Sequence, residues 1–236
     1  MVVDELNDRF VHGHPTDDWT QAGVLFHAFD AVDGYDGHLD LWNGCEHSST
    51  WCFDLNRFSA SLLNARLPHY FNQYKSSVTG FGKPGFIVSS AVVGPSGVRC
   101  MIPFDGGTVG GGDGCPGPVC AGCLISGACG SWCHYAGEQL RLMLVRHEAT
   151  SSGRDHSCGQ ATCNYNEIII DKAFWKAHLP HTIRAVFFPH GEPQARDLAQ
   201  RVHEAFLREY PQATAPLVSY DGGSLDAPFR LESDPG

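Results

Sequence analysis

Positive charge is what this sequence has least of. Sixteen Lys and Arg stand against 26 Asp and Glu, a formal charge of −10, and the shortage is local. Residues 1–56 hold eleven acids and one base, Arg9, so they carry the whole excess, while residues 57–236 hold fifteen of each sign. A phosphate-binding surface needs clustered Lys and Arg, because release of counterions drives such binding. Nucleic acid and anionic membrane surfaces are therefore not expected partners. Long apolar runs are missing too. No stretch approaches the roughly 18–20 residues that cross a bilayer, which argues against membrane insertion. Charged residues make up only 18% of the chain against 42% hydrophobic, a balance that suits a folded domain rather than a disordered chain or a coiled coil.

Several catalytic signatures are absent as well. There is no H-E-x-x-H for a zinc-protease helix, no G-x-S-x-G for a hydrolase nucleophile elbow, and no G-x-G-x-x-G following a strand for a dinucleotide fold. Thirteen histidines are present, with His12-Gly-His14 and His178-x2-His181 the close pairs.

Cysteine is abundant. Ten residues, at 45, 52, 100, 115, 120, 123, 129, 133, 158 and 163, allow five disulfides. Cytosolic chains rarely carry so many unless they bind metal, so the expected setting is secreted, extracellular or lumenal. The start, Met1-Val-Val-Asp-Glu-Leu6, has neither a basic n-region nor an apolar h-region, so this reading expects an export signal to have been removed. Within Asp105–Cys133, Gly and Cys dominate. Too few apolar side chains remain there to build a core, so the segment must be held by cross-links or an ion. Cys115-x4-Cys120-x2-Cys123-x5-Cys129-x3-Cys133-His134 contains a single C-x2-C pair, whereas structural zinc sites usually pair two. Disulfides are the simpler reading and zinc the alternative.

The loop Asp30-Ala-Val-Asp33-Gly-Tyr-Asp36-Gly-His-Leu-Asp40 sets four carboxylates among glycines. Calcium wants several oxygen ligands on a flexible loop, which makes Asp30, Asp33, Asp36 and Asp40 candidate ligands. The spacing is not that of an EF-hand, and a plain solvated turn region has the same composition.

The apolar pattern predicts a strand over Gly23–Phe29, and strands over Gly85–Ser90 and Val98–Phe104 joined as a hairpin through Gly94-Pro95-Ser96-Gly97. Further strands are predicted over Tyr165–Asp171, Thr182–Phe188 and Ala215–Tyr220. Arg57–Leu67 is ambiguous, since Phe58, Leu62 and Leu63 share a helical face. Leu140, Met143, Leu144 and His147 fall at helical spacing. Ala195, Leu198, Ala199, Val202, Phe206 and Tyr210 form one stripe of a helix over Glu192–Tyr210, with Pro193 in its first turn. The expected fold is α+β: a mixed or antiparallel sheet, two main helices and a disulfide-stapled Gly/Cys-rich insertion at 105–133. One domain is expected over residues 1–224, followed by a frayed tail at 225–236.

Glu167 opens an otherwise apolar strand, where a carboxylate is either solvated at the strand end or used in a cleft. Asn166-Glu167-Ile168-Ile169-Ile170 followed by Ile183-Arg-Ala-Val-Phe-Phe188 resembles the catalytic-glutamate strand and succeeding strand of ADP-ribosyltransferases. Phe58-Ser59-Ala60-Ser61 is similar to that family's aromatic-Ser-Thr-Ser strand, with Ala60 in place of Thr. His27, in Leu25-Phe26-His27, stands where the family carries Arg or His on its first strand. The resemblance implies NAD as cofactor, Glu167 as the carboxylate that grips the nicotinamide ribose and stabilises an oxocarbenium-like transition state, and Ser59, Ser61 and His27 as positioning groups. Two other readings stand beside it. One is a secreted carbohydrate-active or carbohydrate-binding domain with a glycan ligand, using Trp19, Trp42, Trp51, Trp132 and Trp175 with the acidic loop. The other is a non-catalytic extracellular structural or interaction domain.

Oxidised cysteines predict that intact mass measured without reduction falls about 10 Da below the thiol form, about 2 Da per bridge; ten alkylatable thiols in the native protein would refute this. Calcium in the acidic loop predicts a lower melting temperature under chelator than in excess calcium, because a ligand that binds only the native state stabilises it. Coincident melting curves would leave a solvated loop.

Overall fold

A computed structural model describes residues 2–28, 57–66, 84–102, 140–151 and 166–232. Eight strands form one mixed sheet: β1 (Val24–Ala28), β2 (Arg57–Leu63), β3 (Gly85–Val88), β4 (Val98–Ile102), β5 (Glu167–Asp171), β6 (Ile183–Pro189), β7 (Leu217–Tyr220) and β8 (Phe229–Leu231). Their spatial order is β4-β5-β2-β1-β3-β6-β7-β8. The β6/β7 pair is parallel and the other pairs are antiparallel. Five helices are described: α1 (Val2–His12), α2 (Ser90–Gly97, broken at Gly94), α3 (Leu140–Ser151), α4 (Lys172–Thr182) and α5 (Pro193–Glu209). The α+β expectation with a mixed sheet therefore holds.

Period-2 alternation sends successive side chains of a strand to opposite faces, and here both faces of the central strands are covered. On one face Leu25, Ala60, Leu62, Phe86, Ile168, Ile170 and Val186 meet Val93 of α2, Leu140, Met143 and Leu144 of α3, Trp175 and Leu179 of α4, and the stripe of α5. On the other, Val24, Phe26, Leu63, Ile87, Ala185, Phe187, Val218, Tyr220 and Phe229 meet Leu6 and Phe10 of α1. Gly23 precedes β1 with φ +142, and a Cβ there would lie 2.5 Å from the Leu63 carbonyl. Only glycine permits both the conformation and the approach.

Charge and packing both bind α1 to the sheet, and their magnitudes differ. Glu5 takes Arg184 at 2.6 Å and Arg9 at 2.7 Å, all partly exposed, while Arg9 also donates to Ser90 Oγ at 3.1 Å. Exposed pairs contribute about 0–1 kcal/mol, whereas burying Leu6 and Phe10 contributes about 1.5–3 kcal/mol each. Packing decides. Arg184 reaches α1 because β6 carries a bulge: Ile87 pairs with Ala185 but Val88 with Ile183, leaving Arg184 as the extra residue. An extra residue re-aims the chain locally.

Three expectations need correction, and one ambiguous segment is resolved. β3 and β4 are not a hairpin; α2 connects them, and β1, β2 and β5 lie between them. The turn-rich Gly94-Pro95-Ser96-Gly97 ends a helical segment whose start is capped by Ser89, its Oγ accepting from Val92 N–H at 3.3 Å. Residues 57–63 form a strand, because Leu62 and Leu63 serve opposite cores, which a one-sided helical stripe cannot do. The interval before β6 is the eleven-residue α4, with Pro180 in its last turn, so two main helices were too few. The tail is not frayed at 225–232. Phe229 is buried, β8 pairs with β7, Asn7 accepts from Phe229 N–H and donates to its carbonyl, both at 2.9 Å, and Glu232 is paired with Arg196 at 2.7 Å.

Tyr220 lies in the smaller core, where burial first and the Asp221 charge second raise its phenol well above the ordinary 10.0. Burial and a hydrogen bond to Glu209 push Tyr210 up to about 12. A folded state that holds these protons while the unfolded chain releases them is fully stabilised below pH 10.0 and loses stability as pH rises above it. Urea unfolding between neutral pH and pH 11 should show this fall, and Tyr220→Phe should reduce its slope; an unchanged slope would show that Tyr220 does not hold its proton in the fold.

Candidate functional site

Three contiguous strands carry the residues singled out by the family resemblance: His27 lies on β1, Ser59 and Ser61 on β2, and Glu167 at the start of β5, with β2 between the other two. Register fixes their spacing. Ser59 is level with Ile169 and Ala60 with Ile168, so the next position along the ladder brings Ser61 level with Glu167. On its other side Glu167 is level with Ile102 of β4. Neighbouring strands lie about 4.8 Å apart, so the Ser61 and Glu167 backbones are adjacent, and His27, two strands from β5, is about 10 Å away.

The four candidates do not share one register row. Phe26 is level with Ser61, and Phe26 belongs to the core under α1. His27 is level with Phe86, and Phe86 belongs to the core under α2 to α5. Adjacent rows of a pleated sheet serve opposite faces. The ladder thus groups Ser61 with Glu167 and sets half-buried His27 in the alternate row.

Two asparagines that the sequence reading passed over hold this part of the sheet. Asn166 is fully buried. Its side-chain oxygen accepts from Leu62 N–H and its nitrogen donates to Leu62 C=O, each at 2.8 Å, so the amide takes the place of a peptide at the next rung of the β2/β5 ladder. Asn64, also fully buried, donates to Ala22 C=O at 2.7 Å and accepts from Arg66 N–H at 2.9 Å, tying the end of β2 to the residues before β1. A buried amide without partners would cost about 1–3 kcal/mol. The signal was a polar residue set directly against an apolar strand.

Asp30, Asp33, Asp36 and Asp40 lie outside the described residues, as do segment 105–133, His134, Trp42, Trp51, Trp132 and every cysteine but Cys100 of β4. Trp19 and Trp175 are 4% and 0% exposed and present no face on which a sugar could stack. His14 Nδ1 is 3.1 Å from the His12 carbonyl, and His178 packs against Phe174 with ring centres 4.4 Å apart. Among the described residues, no group of three His, Cys, Asp or Glu is placed to hold a metal, and no helix is long and apolar enough to cross a membrane. An open polar depression of about 230 Å³ lies beside α1, lined by Glu5, Asp8, Arg9, His12 and Thr20 among others. It includes none of His27, Ser59, Ser61 and Glu167. No protein-family model matches the chain, and no curated protein matches its sequence.

Proposed function

We propose that the chain is an NAD-dependent ADP-ribosyltransferase-like enzyme with Glu167 as its catalytic carboxylate. One observation supports this above the rest: motifs spread from His27 to Glu167 in sequence fall on three neighbouring strands, and the β2/β5 ladder, continued one position past Ala60 and Ile168, brings Ser61 beside Glu167. The same proposal includes a secreted or lumenal setting, supported by the ten cysteines, and leaves calcium to the acidic loop.

The chemistry asks little of proton transfer. When the bond between the ribose anomeric carbon and the pyridinium nitrogen breaks, its electron pair returns to the ring and nicotinamide leaves neutral. What develops is positive charge on the ribose. A carboxylate fixed beside that charge stabilises the transition state more than the ground state, and a nucleophile or water then attacks the same carbon, with water yielding ADP-ribose and a proton. In this reading a β2 serine orients the dinucleotide against β5.

Hydrolysis of NAD by the purified protein is the direct test. Glu167→Gln keeps the side chain's shape and removes its charge, and kcat should fall on the order of a hundredfold or more while the melting temperature is preserved. An unchanged rate, or no NAD cleavage by the wild type, would defeat the reading. His27→Ala separates two forms of it. A loss like that of Glu167→Gln requires His27 at the dinucleotide, and a near-normal rate confines the site to the β2/β5 row.

A further inference from the structure

We infer that Asn166 is the positioning residue of this site: its amide sets the register of β5 on β2 and so determines where Glu167 stands. The role given to Glu167 rests on the function proposed above, while the register claim rests on geometry alone. β5 reads Glu-Ile-Ile-Ile-Asp, with three identical apolar residues in succession. Its core-facing pair is Ile168 and Ile170, and a slip by one residue would keep isoleucine in one of those rows but put the carboxylate of Glu167 or Asp171 in the other. A slip of one exchanges the two faces of a strand, and here the burial of a carboxylate opposes it. Glu167 would then move into the alternate row. On the far side β4 pairs in register from Cys100 to Ile102, with an irregularity between Val98 and Cys100.

Asn166 adds a polar constraint to this apolar one. Its two hydrogen bonds to a single residue, Leu62, are satisfied together in one alignment only, and they occur where both Asn166 and Leu62 are fully buried. Any slip would leave the Leu62 N–H and C=O and both ends of the amide to find new partners away from water, an outcome native structures avoid. The grip is one peptide unit from Glu167 and one rung from Ser61. It therefore acts on the two residues that the proposed chemistry needs level with each other.

The test uses the full chain with two variants and two readouts. In Asn166→Ala the Leu62 amide loses its acceptor, and its hydrogen-exchange protection, with that of the amides of residues 167–170, should fall about tenfold or more. For NAD hydrolysis kcat should fall on the order of a hundredfold, as a misplaced reacting group does, with KM little changed. Asn166→Asp retains an acceptor for Leu62 N–H and should recover part of both the protection and the rate, which also covers the case in which the alanine variant does not fold. Thr182→Val removes a buried hydroxyl bonded to the His178 carbonyl at 2.8 Å; it should lower stability and leave kcat unchanged, separating position from general destabilisation. Undiminished protection of Leu62 in Asn166→Ala would overturn the register claim. Lost protection with a normal kcat would overturn the positioning role. A wild type that leaves NAD intact would remove the enzymatic reading alone, and exchange at Leu62 and residues 167–170 would still decide whether Asn166 sets the register.

Discussion

β1 is five residues long, and both cores meet on it. Leu25 enters the core shared by four helices, while Val24 and Phe26 enter the core under α1. A strand buried on both faces cannot alternate apolar with polar residues, and Val24-Leu-Phe26 does not. Its neighbours inherit the constraint. β2 and β3 pair with it on either side, so Leu62 and Leu63, or Phe86 and Ile87, must likewise be apolar in succession. The first strand in the chain thus becomes the middle of the sheet. Strands as far along the chain as β8 join the sheet around it, the parallel β7 among them, and α1 covers the second face together with residues of β6, β7 and β8.

The same constraint explains which elements were legible in the sequence. Short apolar runs, Val24-Leu-Phe26, Ile168-Ile-Ile170 and Ala185-Val-Phe-Phe188, read as buried strands because a run of that length apolar on both sides fits a sheet covered on both faces. The one-sided stripe of α5 is equally plain, its buried Ala195, Leu198, Ala199, Val202 and Phe206 spaced by three and four. Short and mixed signals failed. Phe58, Leu62 and Leu63 fit a helical face on paper, and only the existence of two cores makes them a strand. The 225–232 tail looks polar because its anchor is a single buried aromatic, Phe229, with backbone groups satisfied by Asn7 from the far end of the chain. Local composition carries no trace of a partner 222 residues away.

Of the candidate site, the identity of Glu167 and its place at a strand start were legible, since a carboxylate beside three isoleucines contradicts its surroundings. The sheet order that makes β1, β2 and β5 neighbours was not. That order depends on long-range pairing, and residues 103–139 intervene between the strands that must meet. Neither was the row in which each residue falls, because face membership in a sheet changes with a register shift of one. His27 shows the consequence: its motif order agrees with Ser59 and Glu167, and its row does not agree with Ser61.

Asparagine recurs at three strand ends of this sheet. Asn7 meets β8 with both ends of its amide, Asn166 meets β2 likewise, and Asn64 joins the end of β2 to the residues before β1. A side-chain amide has the donor and acceptor of a peptide without the chain continuity of one. It can therefore complete a rung where the backbone itself has to turn away, leaving no buried N–H or C=O unpaired. This device lets a strand end abruptly inside the protein rather than fray at its surface. A residue that opens such a strand, as Glu167 does beside Asn166, has its backbone held by the bonds of the residue before it.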